Sequence, residues 1–266
     1  KAFGKAELAV FAVAYMLATF SSQAVARLSR HVVFPVFAAV KNRGGDIAEA
    51  AERMQRPLRV FAGVATAAVY AAGPSIVLML YPHEYSDAAW MVRLLAITAI
   101  LVVLGESLKM SLLSLGHARS AVWGQGAKLA ALAALLPLGS MLTTRTMSWA
   151  LPGVVAAAAL AEGARYMAFA IMTREHGIKL LGGDAVWIGF TGVVGVVGAL
   201  LADSAAGWAL VRFTSGVAAT DGHAMSLATR GAAGVGVAVG SAVAFAAFAL
   251  PLVRAFREVR GGRGDG

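Results

Sequence analysis

Residues 89–115 read Ala89-Trp-Met-Val-Arg-Leu-Leu-Ala-Ile-Thr-Ala-Ile-Leu-Val-Val-Leu-Gly-Glu106-Ser-Leu-Lys109-Met-Ser-Leu-Leu-Ser-Leu115. The run exceeds the roughly 20 residues that cross the hydrocarbon core of a bilayer. Its inner charges, Glu106 and Lys109, stand at i, i+3, where they can neutralise one another within a helix. Six further apolar segments flank it, at 8–40, 58–80, 121–142, 149–172, 185–202 and 231–253, and of these the one at 185–202 is short.

Composition agrees with that reading. Hydrophobic residues make up 59% of the chain and charged residues 14%, and mean hydropathy is +0.74, more apolar surface than a soluble domain can hide. At about 20 residues per crossing plus short loops, 266 residues give roughly seven spans. The fold class predicted is an all-α, polytopic membrane helix bundle. Abundant Gly and Ala suit close helix packing, and the absence of cysteine excludes disulfides and thiolate metal sites. No metal or cofactor is called for.

Lys and Arg alternate in abundance between connections. Lys41, Arg43, Arg53 and Arg56 lie in the first, Arg119 in the third, Arg174 and Lys179 in the fifth, and Arg254, Arg257, Arg260 and Arg263 in the tail. The intervening connections are poorer, which places the tail in the cytoplasm, the connection at 81–88 outside, and Lys1 outside. Much of the +9 net charge is therefore topogenic, and no nucleic-acid motif accompanies it. Asp46 and Glu49 resemble a capping box, and the apolar spacing from Ile47 to Leu58 predicts a helix that lies along the membrane surface or, in the alternative, a solvated helix that extends into the next span.

The charges inside the spans carry the chemistry. Thr19, Gln23, Arg27, Arg30 and His31 share one helix face. With a helix end near Val40, Arg27 lies about 20 Å and Arg30 about 15 Å from that end, near mid-bilayer. A central Arg costs roughly 2.5–3.5 kcal/mol, so the stripe should face a hydrated cavity or an anionic partner. Glu162 and Arg165 repeat the i, i+3 spacing, while Lys128 has no acid in its own span. Arg27, Arg30, Lys109, Lys128 and Arg165 outnumber Glu106 and Glu162, so a chamber they line would attract an anion. Arg27, Arg30, Lys109, Lys128, Arg165 and Gln23 are thus the candidate head-group residues, and His31, Glu106 and Glu162 the candidates for proton or ion coupling. Arg93, near the outer end of its span, is expected to snorkel.

Other signals are weaker. Gly192, Gly195, Gly198, Gly236 and Gly240 read as packing devices. Residues 203–230 read as an extramembrane loop, with Asp203 and Asp221 isolated, as is Asp184. No HExxH, GxSxG, paired carboxylates or metal-ligand spacing occurs, so no enzyme is expected.

Four segments in order resemble the second half of the Wzx-type oligosaccharide-lipid flippases of the multidrug, oligosaccharidyl-lipid and polysaccharide exporter superfamily. They are Arg30-His-Val-Val-Phe-Pro-Val-Phe, Gly73-Pro-Ser-Ile-Val-Leu-Met-Leu, His83-Glu-Tyr-Ser-Asp-Ala-Ala-Trp and Leu112-Leu-Ser-Leu-Gly-His-Ala-Arg. The resemblance covers about residues 3–178. It implies a two-lobe transporter with a central cavity, of which this chain is the C-terminal lobe. Residues 1–178 would form about five core spans, 179–253 two additional helices, and 254–266 a basic cytoplasmic tail. Lys1 in place of Met, with no secretory signal before the first span, fits a chain whose N-terminal lobe lies elsewhere in the same polypeptide.

The implied activity is flipping of an undecaprenyl-pyrophosphate-linked oligosaccharide across the bacterial inner membrane, for cell-surface polysaccharide. The implied partners are that polyprenyl-pyrophosphate-linked glycan, membrane lipids and the other lobe. Related lipid II flippases carry an early arginine where Met16 aligns, a departure that argues against that variant. A multidrug exporter of the same superfamily would favour acidic cavity residues instead. An integral-membrane glycosyltransferase or polymerase would display a large outer loop with catalytic groups.

Overall fold

A computed structural model describes residues 5–45, 47–146, 151–175, 181–215 and 222–261. Among these the chain forms seven α-helices and no strand: α1 (Lys5–Asn42), α2 (Ile47–Leu80), α3 (Ala88–Leu115), α4 (Ala118–Thr146), α5 (Leu151–Glu175), α6 (Leu181–Thr214) and α7 (Gly222–Gly261). A single 3₁₀ turn, His83–Tyr85, joins α2 to α3. Helix is dictated by the solvent, since hydrocarbon offers no partner to an unpaired backbone N–H or C=O. Pro35, Pro57, Pro74, Pro137 and Pro251 nevertheless lie inside helices, where neighbouring helices and local backbone adjustment can compensate the carbonyl each one frees.

Six helices carry stretches long and apolar enough to cross a membrane: Arg53–Leu80, Ala88–Leu115, Ala118–Met141, Pro152–Glu175, Gly183–Thr214 and Met225–Pro251. In α1 the apolar stretch among the described residues is Glu7–Phe20. The chain is an all-α polytopic bundle.

α2 and α3 form the centre. α2 packs against α1, α3, α6 and α7, while α3 also receives α1 and α5, and α4 lies against α5. Small residues set the registers. Gly63 meets Phe248, Gly240 meets Ala71 and Ala72, and Gly236 meets Ser75, so α2 and α7 run antiparallel. Gly183 lies beside Arg59, Gly195 beside Tyr70 and Gly198 beside Ala71, so α2 and α6 run parallel. Closest of all is α4 against α5, where a Cβ on Gly139 would sit 2.5 Å from the Gly153 carbonyl oxygen and one on Gly153 would sit 2.1 Å from that of Gly139. At the α3–α4 turn Gly116 adopts φ 93°, and the amides of Gly116 and His117 close onto the carbonyls of Leu113 and Leu112.

Three expectations need correction. Residues 47–58 are not a separate surface helix but the first turns of α2, which runs unbroken through Pro57; Asp46 lies outside the described residues. The segment at 185–202 is not short, because α6 continues to Thr214. Residues 203–214 are therefore helix rather than loop. Ser204 satisfies its hydroxyl on the Leu200 carbonyl at 2.7 Å, and Asp203 finds a cation across the bundle. Asp221 lies outside the described residues.

Candidate intramembrane charge site

The i, i+3 spacing on α3 and on α5 creates two short ion pairs, and packing then joins them. Lys109 Nζ lies 2.6 Å from Glu106 Oε2 on α3. From α5, Arg165 Nη1 donates to Glu106 Oε1 at 3.4 Å, and its Nε lies 2.9 Å from Glu162 Oε2, a charge contact whose angle is not that of a hydrogen bond. Lys128 of α4 donates to Glu162 Oε1 at 2.5 Å. Three helices thus contribute three cations and two carboxylates, a net charge of one positive. Arg165 is the buried centre, its side chain 6% exposed, while Lys109 and Lys128 at 19% and 28% form the wetter rim.

The next residue on α5 begins a second group. Tyr166 donates to Asp184 Oδ2 at 2.7 Å, and Arg59 Nε donates to Asp184 Oδ1 at 2.5 Å. Asp184 is completely buried, in the first turn of α6. One turn before Arg59, Gln55 accepts a hydrogen bond from Ser107, the neighbour of Glu106. Consecutive residues of α5 and of α3 therefore stitch α2, α3, α4, α5 and α6 together through polar contacts. At the other end of the same helices, Arg93 Nη2 donates to both oxygens of Asp203 at 2.6 Å.

Sequence spacing located Glu106, Lys109, Glu162 and Arg165, but not the partner of Lys128, which comes from another helix. The expectation that Asp184 and Asp203 are isolated is wrong: each has an arginine, and Arg93 is a bridge to α6 rather than a free snorkelling cation. Arg59 and Tyr166 went unnoticed, although a carboxylate inside an apolar run must have some partner. On α1 the picture differs. Gln23 is exposed and its amide lies 3.4 Å from the Thr19 hydroxyl. Arg27 is exposed, with no ion-pair partner among the described residues. Arg30 and His31 lie on the α1 backbone, but their side chains fall outside the described residues. Of the glycines, Gly195, Gly198, Gly236 and Gly240 pack against other helices, whereas nothing lies within 4 Å of a Cβ placed at Gly192.

The fold and site define a multi-pass membrane protein with buried, paired charges inside its spans. Residues 1–90 match the family model described as "Polysaccharide biosynthesis protein". Searches of curated proteins and of solved structures give no significant match. The matched third of the chain holds α1, α2 and the first turn of α3, so it includes Gln23, Arg27, Arg30 and His31 and ends before Glu106. That similarity and the apolar bundle support a membrane protein of polysaccharide synthesis.

Proposed function

We propose that this chain is a lobe of a transporter that flips an anionic, polyprenyl-pyrophosphate-linked oligosaccharide across the bacterial inner membrane. The lobe is its core helices, residues 1–178, with two further helices at 179–253 and a basic tail at 254–266. One observation carries the choice of an anionic substrate. Of the five carboxylates in the six described spans, four have a cation at 2.6 Å or less, Glu106 with Lys109, Glu162 with Lys128, Asp184 with Arg59 and Asp203 with Arg93, and the fifth, Glu175, is the exposed last residue of its span. No bare acid is left in the interior of those spans for a cationic drug, whereas Arg27 is a cation without a carboxylate among the described residues. An exporter of cations would need the opposite balance.

In this reading Arg27 and Arg30 hold the pyrophosphate by charge-assisted hydrogen bonds, assisted by Gln23, while the polyprenyl tail stays in lipid. Lys109, Lys128 and Arg165 add the single surplus charge of their cluster to the field that draws the head group in. Glu106 and Glu162 keep that cluster rigid, and His31 beside Arg30 is the residue placed to couple a proton. Rocking of the two lobes would alternate the side to which the cavity opens. The glycosyltransferase reading loses ground because α6 and α7 shorten the largest outer connection to the residues between Thr214 and Gly222.

The test uses the full-length protein in liposomes carrying a fluorescent polyprenyl-pyrophosphate oligosaccharide and a membrane-impermeant quencher. Protein-dependent quenching of the inner-leaflet pool is expected. Failure to flip this probe while a cationic amphiphile is transported would overturn the proposal.

A further inference from the structure

α6 and α7 hold to one another from end to end. Phe213 meets Gly231, Ala206 meets Gly236, Val243 meets Gly198, and Phe190 meets Phe248 edge-on. α2 supports this hairpin, whereas α3 scarcely touches α6. Two ionic ties fix α6, and they are unequal. Near the start of α6 the completely buried Asp184 takes Arg59 of α2 and Tyr166 of α5. Nineteen residues on, about 28 Å along the helix, Asp203 takes Arg93 of α3, their side chains 49% and 28% exposed. Between the ties lies a cavity of about 260 Å³, lined by Tyr70 of α2, Ile97 and Ile100 of α3, and Ile188 and Val196 of α6. Past the second tie the hairpin loses its support. Ala71 lies beside Gly198; α2 ends nine residues later at Leu80 and α6 sixteen later at Thr214, so α6 overruns α2 by about 10 Å.

We infer that the α6–α7 hairpin is an arm hinged at Asp184, and that Arg93–Asp203 is the latch that holds it against α3 on the side that the Lys and Arg bias places outside. Three features assign hinge and latch. An ion pair open to solvent holds weakly, whereas a buried pair is costly to break, so the outer tie releases first. The inner half of the arm interlocks through bulky side chains, with Trp187 stacked on Phe248 and Phe248 over Gly63. Its outer half meets α2 through Gly198, Gly236 and Gly240 against Ala71, Ala72 and Ser75, a smooth seam with no knob to withdraw. Finally, the cavity already separates α3 from α6, so opening the latch gives up little packing between them. A tilt of about 10° at the hinge would carry Ser215, about 46 Å along the helix, by about 8 Å and widen the cavity mouth between Ile97 and Val196. The inference is independent of the transported substrate.

The experiment measures spin-label distances by pulsed electron paramagnetic resonance in the full-length protein in phospholipid nanodiscs, with cysteines only at the labelled positions. His83→Cys with Ser215→Cys reports the outer end, and Arg119→Cys with Val186→Cys the inner end beside the hinge; all four positions are exposed. Asp203→Asn and Arg93→Gln remove the latch from its two sides. Each should broaden the outer distribution and lengthen its mean by about 5 Å or more, while the inner mean stays within about 1 Å of the wild type, as a hinge requires. Arg93→Asp combined with Asp203→Arg re-forms the pair in reverse and should return the outer distribution to that of the wild type. An outer distance unchanged in both single variants, equal lengthening at both ends, or a reversed pair that restores nothing would overturn the inference. So would failure of both single variants to fold, which would make the pair a fixed support rather than a latch.

Discussion

Arg59 of α2 and Asp184 of α6 meet at 2.5 Å, 125 positions apart in sequence, with Asp184 side-chain exposure of 0% and Arg59 of 8%. Removing the acid alone takes the carboxylate from a buried guanidinium, which costs about 3–5 kcal/mol when one partner of a buried pair is lost. Asp184→Asn should therefore lower the unfolding temperature sharply. The double variant Arg59→Met with Asp184→Leu should recover most of the loss, because neither charge is then left bare. Thermal unfolding of the purified protein in detergent measures both. Equal damage in the single and double variants would show that the pair is not what docks α6.

Tyr166→Phe removes only one donor to the same carboxylate, so a milder loss of about 1 kcal/mol is expected. The same unfolding assay reads it, and it should be non-additive with Asp184→Asn because both act on one group.

The α4–α5 contact gives a steric prediction. Gly153→Leu drives a side chain into the backbone of Gly139, where a bare Cβ already falls 2.1 Å from a carbonyl oxygen. No flexible neighbour can yield there. The variant should lose folded protein on size-exclusion chromatography, whereas Gly126→Ala, with open space at its Cβ, should elute as the wild type does.

How much of this was legible in the sequence depends on the range of each interaction. Hydropathy marked the spans, since burial in lipid is a property of a continuous segment. The pairs Glu106–Lys109 and Glu162–Arg165 were legible because three residues make nearly one helical turn. Lys128–Glu162, Arg59–Asp184 and Arg93–Asp203 were not, since each depends on which helices become neighbours. The reading of residues 203–214 as loop failed for a related reason. Asp203, Ser204 and Gly207 are turn-forming residues in isolation, but Arg93 neutralises the aspartate and Ser204 back-bonds to its own helix. The grouping of Arg27, Arg30 and His31 rests on periodicity alone, on the segment that the family model also covers.

Orientation is testable because the chain has no cysteine of its own. His83, in the turn before α3, and Arg119, in the first turn of α4 beyond the other end of α3, are both exposed. The Lys and Arg bias puts His83 outside and Arg119 in the cytoplasm. A membrane-impermeant maleimide should label His83→Cys in intact cells and Arg119→Cys only after lysis. The reverse pattern would invert the topology.

The central claim is that α1 presents cations to a pyrophosphate. The most direct measurement is the initial rate of flipping of the fluorescent polyprenyl-pyrophosphate oligosaccharide in liposomes containing full-length Arg27→Ala/Arg30→Ala protein, matched to wild type for folded amount. A fall of at least 100-fold is predicted, corresponding to about 3 kcal/mol for two lost charge-assisted contacts. Lysine at both positions should restore part of the rate, since it keeps the charge without the planar fork. A double-alanine rate equal to the wild-type rate would contradict the account.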